Sequence, residues 1–180
     1  DRLENTIIPA LDSGFVVLLD RYTYTAFARD VVRGLNIDWV KQLYNYAPEP
    51  DLVFYLDMPI DVLLKRVIGT TGLDYWESGR DIGLSTDFYE SFKIYQAKCL
   101  EEYNKMKPEY NFVSIDGTLP REDIHNKMIE HVEKLLNTGN HGKIILAMVQ
   151  IYINIFLFGV KNDYHKRCRT CCQARKTGAY

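Results

Sequence analysis

Three apolar runs in this sequence each end on an aspartate: FVVLL on Asp20, LVFYL on Asp57 and FVSI on Asp116. At the first of them an arginine follows at once, giving FVVLLDRYTYTAFARD over residues 15–30. Burying a charge costs several kcal/mol unless it is paired, so an acid and a base that end an apolar run belong at a cleft or a surface. An aspartate there can hold a hydrated cation or a polar ligand. A guanidinium beside it can fork onto an oxyanion such as phosphate. The bland alternative is an Asp–Arg pair that only caps a strand–helix turn.

Other chemistry-bearing residues give weaker patterns. His125 and His131 lie six apart in a helical stretch, a spacing that does not put them on one face. Cys168, Cys171 and Cys172 sit near His165, but a structural zinc site needs four well-spaced ligands. Phe88, Phe92, Tyr95, Cys99 and Tyr103 recur at helical spacing and read as a core stripe, with Cys99 as a small buried apolar group.

The elements that position these residues follow from periodicity. Residues 2–12 place Leu3, Ile7, Ala10 and Leu11 at helical spacing, with Pro9 awkward inside and Ser13-Gly14 as a stop. Residues 15–19 are β-branched and continuously apolar, as expected of a strand buried on both faces. Helices are expected over 23–33 and 37–46, a strand over 52–57, and a helix over 59–67 opened by Pro59 and Asp61. Residues 69–84 hold four glycines without a clear period and read as a mobile loop. A long helix over about 85–107, a strand over 111–116 and an amphipathic helix over 119–137 complete the pattern. Strand alternating with helix predicts an open α/β sheet with parallel strands, and such sheets bind ligands beyond the carboxyl ends of their strands. Asp20, Asp57 and Asp116 all stand there.

The 180 residues suit one domain. A formal net charge of −2 gives no general attraction for nucleic acid or an anionic membrane. Residues 161–180 hold six Lys/Arg and one Asp, a net +5, which leaves −7 on residues 1–160. Four cysteines without a disulfide framework point to a reducing cytoplasm. The chain opens on Asp1 rather than Met, inside a helical pattern, so its natural start is expected upstream.

Taken together, IIPALDSGFVVLLDRY, APEPDLVFYLDMPIDVLLKRV and FVSIDG resemble, in order and spacing, the motifs of thymidylate kinases, which are P-loop nucleoside monophosphate kinases. The likeness covers residues 1 to about 137, and DYWESGRD with YESFKIYQ is similar to a divergent, thymidylate kinase-like branch. It implies a three-layer α/β/α fold and ATP- and Mg²⁺-dependent phosphorylation of a deoxynucleoside monophosphate, dTMP to dTDP. By resemblance Asp20 holds a Mg²⁺-bound water, Arg21 grips the acceptor phosphate, and Arg80 is an arginine of the lid formed by residues 69–84. Tyr22, Thr25 and Arg29 fall on the acceptor side. Arg66, Asp116 and Gly117 fall on the donor-adenine side, where contact is mostly through backbone. Asp74 and Glu77 match acidic lid positions, and Tyr75 and Trp76 either cover a base or pack the lid.

The sequence also departs from the family. No G-x-x-x-x-G-K-[ST] phosphate loop occurs in it; the family carries that loop upstream of where this chain opens, and the chain alone is expected to be inactive. Arg2 is the candidate for the family's base-contacting arginine, but it stands about three residues too close to Asp20, nearly one helical turn. Ala28-Arg29-Asp30 replaces the usual Ala-Tyr-Gln, which opens the choice of acceptor. The alternatives are a related kinase with another nucleotide acceptor, or a nucleotide-binding module without turnover. Residues 138–180 stand apart as an atypical tail. Its apolar stretch 144–160 reads as a membrane segment, as the opening of another strand–helix unit, or as sequence foreign to the domain. Nucleoside monophosphate and ATP are the expected partners, with no nucleic acid. Pairing into a homodimer through helices is a family habit that nothing in the sequence proves.

Overall fold

The computed structural model describes residues 1–69, 72–137 and 143–149. Strands β1 (Val16–Asp20), β2 (Leu52–Asp57), β3 (Val113–Asp116) and β4 (Ile144–Val149) form one parallel sheet in the order β1-β4-β2-β3. Around it lie α1 (Ile8–Asp12), α2 (Thr23–Val32), α3 (Ile37–Leu43), α4 (Ile60–Ile68), α5 (Phe88–Glu109) and α6 (Arg121–Asn137). Helices α1, α2 and α5 cover one face of the sheet. Helix α6 covers the other, through Ile124 against Phe54, Leu56 and Ile115. This is the expected three-layer α/β/α arrangement.

Local sequence explains the element ends. Ile8 N–H reaches back five residues to Leu3 O, so a π turn (Leu3–Ile7) precedes α1 and Pro9 falls in the opening turn of that helix. An absent N–H costs nothing there, which resolves the awkward proline. Asn36 caps α3 by accepting from Trp39 N–H, and Asp87 caps α5 by accepting from Glu90 N–H at 2.7 Å. The aromatic stripe of α5 is core, as expected: Phe92, Tyr95, Cys99 and Tyr103 are all buried. Each such side chain contributes about 1.5–3 kcal/mol by leaving water.

Two expectations need correction. Strand β1 is not buried on both faces: Val17 and Leu19 pack toward α1, but Val16 is 48% and Leu18 60% exposed. Its apolar run is that of an edge strand in the described sheet, with no described helix over its outer face. Within the stretch read as a mobile loop, residues 72–84 also form more bonds than a structureless loop would. Its Asp74 accepts from Trp76 and Glu77 N–H, Ser78 is fully buried, and Ser91 of α5 donates to Ser78 O at 2.7 Å.

Residues 144–149 adopt the strand alternative. Strand β4 lies beyond the boundary expected at residue 137, yet it sits between β1 and β2 in the sheet. Asp51 fixes its start, with Oδ2 accepting from Ile145 N–H at 2.8 Å. Among the described residues no helix is long and apolar enough to cross a membrane. Residues 150–180, with the rest of the apolar stretch and the Cys168, Cys171 and Cys172 cluster, lie outside the described residues.

Candidate functional site

The carboxyl end of β1 holds the densest set of expected site residues. Asp20 ends the strand, and Arg21 follows with φ +54°, in the left-handed region. A side chain there costs about 1–2 kcal/mol, and such strain concentrates at functional turns. The turn is anchored because Arg21 N–H donates to Met148 O of β4 at 3.0 Å. Burial raises the Asp20 carboxyl above the usual carboxylate range, and the charges of Arg21 and then Arg2 pull it back. Arg2, Asp20, Arg21 and Tyr22 line one groove of about 290 Å³ beside α1. The Tyr22 ring belongs to the groove while its hydroxyl is tied to Pro48 O at 2.9 Å.

On its other side Arg21 meets the loop before α5. Its Nη1 donates to Glu77 Oε1 at 2.8 Å, and Arg29 Nη1 stands 3.9 Å from the same oxygen. Burial opposes the Arg21 charge, but Glu77, with help from Asp20 and Tyr103, outweighs it and keeps the guanidinium protonated. Thr25, 8% exposed, lies close by on α2 with its hydroxyl near the Tyr103 phenol, in a geometry that leaves Oγ1 without a hydrogen bond among the described residues. These residues border a cavity of about 20 Å³ between α2, α5 and the loop, and Arg21 lines both this cavity and the groove. Cys99 also lines it, but burial pushes its thiol up to about 11, so it stays neutral at physiological pH.

The donor-side candidates form a second group, at the ends of β2 and β3. Arg66 donates to Gly117 O at 2.8 Å, and Gly117 N–H donates to Asp57 O at 2.7 Å. A Cβ on Gly117 would stand 2.9 Å from Met58 Cε and 3.1 Å from Asp57 O, so the turn needs glycine. Asp116 is turned onto Thr118, accepting from its N–H and its hydroxyl, which holds the carboxyl below the usual range.

Arg80 lines neither cavity that Arg21 lines. It donates to Ser85 O and Thr86 O at 2.5 and 2.7 Å, tying the loop to the start of α5. Tyr75 and Trp76 are exposed and pack edge to face. Sequence reasoning missed three residues of this region. Glu77 was read only as an acidic lid residue, and nothing local announces that it pairs with Arg21. Gln96 of α5 lines the small cavity, and here a signal existed: residues 92, 96, 99 and 103 share one helical stripe, so an amide stood among core positions. Arg33 was missed too. It pairs with Asp81 at 2.7 Å and donates to the Tyr95 hydroxyl, clamping the loop to α2 and α5.

Comparison with known proteins adds a family. The thymidylate kinase family model matches residues 1–128. "Probable thymidylate kinase 2" of Saccharolobus solfataricus is 44% identical over 126 residues, which cover 69% of this chain and 59% of that protein. "Probable thymidylate kinase" of Thermococcus gammatolerans is 34% identical over 145 residues, 77% of this chain and 62% of that one. A protein of the same name from Methanocaldococcus jannaschii is 31% identical over 137 residues, 75% and 64% of the two chains. The matches span about three-fifths of the length of these relatives.

Proposed function

The chain belongs to the thymidylate kinase family, and from that premise we propose that the whole protein transfers the γ-phosphoryl group of ATP to dTMP, giving ADP and dTDP. The observation that carries the reading is the β1 end: a carboxylate raised above its usual range and a strained, anchored arginine beside a groove that Arg2 also lines. Phosphoryl transfer asks a protein for positioning and charge neutralisation more than for covalent help.

In this reading Arg21 forks onto the acceptor phosphate from the groove side, while Glu77 holds the guanidinium in place from behind. Tyr22 closes the groove wall, with its hydroxyl fixed to Pro48. Arg2 and Arg29 add positive charge on either side of Arg21, which favours the anionic substrate over its neutral nucleoside.

The residues present fit Mg²⁺ in the mode that uses few protein ligands. Among the described residues no three His, Cys, Asp or Glu side chains converge as a metal cage. Mg²⁺ normally keeps several waters and takes one or two carboxylates plus substrate phosphates, and Asp20 suits that role through a water. When bound, the ion neutralises charge on the phosphate oxygens. For ATP the fit is partial. Arg66 and Gly117 suit the adenine side, but no triphosphate cradle of the G-x-x-x-x-G-K-[ST] kind occurs in the 180 residues, so no step at the donor phosphates rests on them.

The experiment is turnover of dTMP by the complete protein with ATP and Mg²⁺, wild type against Arg21→Ala. A loss of about a thousandfold with an unchanged circular dichroism spectrum is expected. Near-normal turnover in the variant overturns the assigned role.

A further inference from the structure

Gln96 is 2% exposed on the inner side of α5. Its Nε2 donates to Glu77 O at 2.8 Å. A carbonyl oxygen can only accept, so this bond fixes which end of the amide is which. Oε1 therefore faces the other way, where it has no hydrogen-bond partner among the described residues. A buried acceptor without a donor is a standing cost to the fold, of the kind that a ligand relieves.

The surroundings say what that ligand group is. The cavity is also lined by Arg21, Thr25 and Arg29, so guanidinium groups and a hydroxyl border the same space as the amide. About 20 Å³ is room for a group the size of a water, which admits the edge of a ring. A phosphate suits this position poorly, because Oε1 repels an anion. The matching pattern is one ring N–H between two carbonyls, the imide edge of thymine or uracil. Cytosine has a lone pair at the same ring atom and meets Oε1 acceptor to acceptor.

We propose that Gln96 is a specificity-determining residue of the acceptor site, its Oε1 accepting the ring N–H of an imide base. The proposal rests on the reading that this site takes a nucleoside monophosphate. Arg21, which borders both the groove and the cavity, then stands between the phosphate and the base of one bound nucleotide.

The test is calorimetric titration of the full chain with dTMP, dUMP, dCMP and N3-methyl-dTMP, for wild type and for Gln96→Met. Wild type is expected to bind dTMP and dUMP roughly tenfold or more tightly than the two nucleotides without a ring N–H. In Gln96→Met that gap is expected to close to about twofold, since no acceptor remains to select the donor. A uniform weakening across all four nucleotides overturns the proposal, because it marks the amide as purely structural. So does N3-methyl-dTMP binding wild type as tightly as dTMP, a result that needs no variant. Binding of dTMP with an intact gap in Gln96→Met removes Gln96 alone. Absence of binding by all four removes the acceptor reading, and this proposal with it.

Discussion

Asp20 and Asp116 look alike in the sequence, each closing an apolar strand, yet the fold treats them in opposite ways. Asp20 stands beside Arg21 and Arg2, and its carboxyl is lifted above the ordinary range by the desolvation of its groove. Asp116 is in solvent, its oxygen already accepting from Thr118 N–H and hydroxyl at 2.8 and 2.6 Å, and its carboxyl is lowered. Asp57, between them in the chain, is engaged by Lys107 at 2.9 Å. Of the three carboxylates, the one at β1 is held at a cost to the fold. Perturbed carboxylates concentrate at functional sites, in keeping with the ligand role proposed for Asp20.

Exchanging each acid for its amide probes that contrast most strongly. Asp20→Asn is expected to lower dTMP turnover of the complete protein by about a hundredfold, and Asp116→Asn by no more than about twofold. Equal losses would erase the distinction between the two strand ends.

The loop that presents Glu77 to Arg21 can be displaced without touching either residue. Gly79 has φ +64°, and a Cβ there would stand 2.8 Å from Tyr95 Cδ2 and 2.9 Å from Leu84 Cδ1. Gly79→Ala is expected to destabilise the protein by about 1–3 kcal/mol in urea unfolding. An unchanged midpoint would show that the loop is not seated against α5 as described.

The smallest effect is the most diagnostic in sign. The folded-state pKa of Asp20 is raised above its unfolded value of 3.8, so its contribution to stability is present below that value and is lost as pH rises through the folded pKa. The folded-state pKa of Asp116 is lowered, so its contribution is present above 3.8 and is lost as pH falls through the folded pKa. At pH 7, Asp20→Asn is therefore expected to raise the melting temperature and Asp116→Asn to lower it. Both differences should shrink toward zero in acid, below the two folded pKa values. Shifts of the same sign at pH 7 would contradict the electrostatic contrast.

The sequence made the strand ends legible because a continuous apolar run followed by a charge has few structural meanings. It showed the core stripe of α5 for the same reason of period. The exposure of Val16 and Leu18 was not legible, because an apolar β-branched run reads the same at an edge as in the middle of a sheet. The central position of β4 was hidden by distance, since Ile144 pairs with Val16 across most of the chain. The link from Arg21 to Glu77 spans 56 positions and is made by a loop without periodicity. Gln96 was legible as a polar residue among core positions, but only the partner on its Nε2 shows which atom is left over.

The central claim is that Arg21 grips the phosphate of the acceptor, and one measurement tests it most directly. Titrate dTMP and its nucleoside, thymidine, into wild-type protein and into Arg21→Ala. The account predicts that the variant loses most of its affinity for dTMP while thymidine binding stays at the wild-type level. Equal weakening of both ligands, or undiminished binding of dTMP, would contradict it.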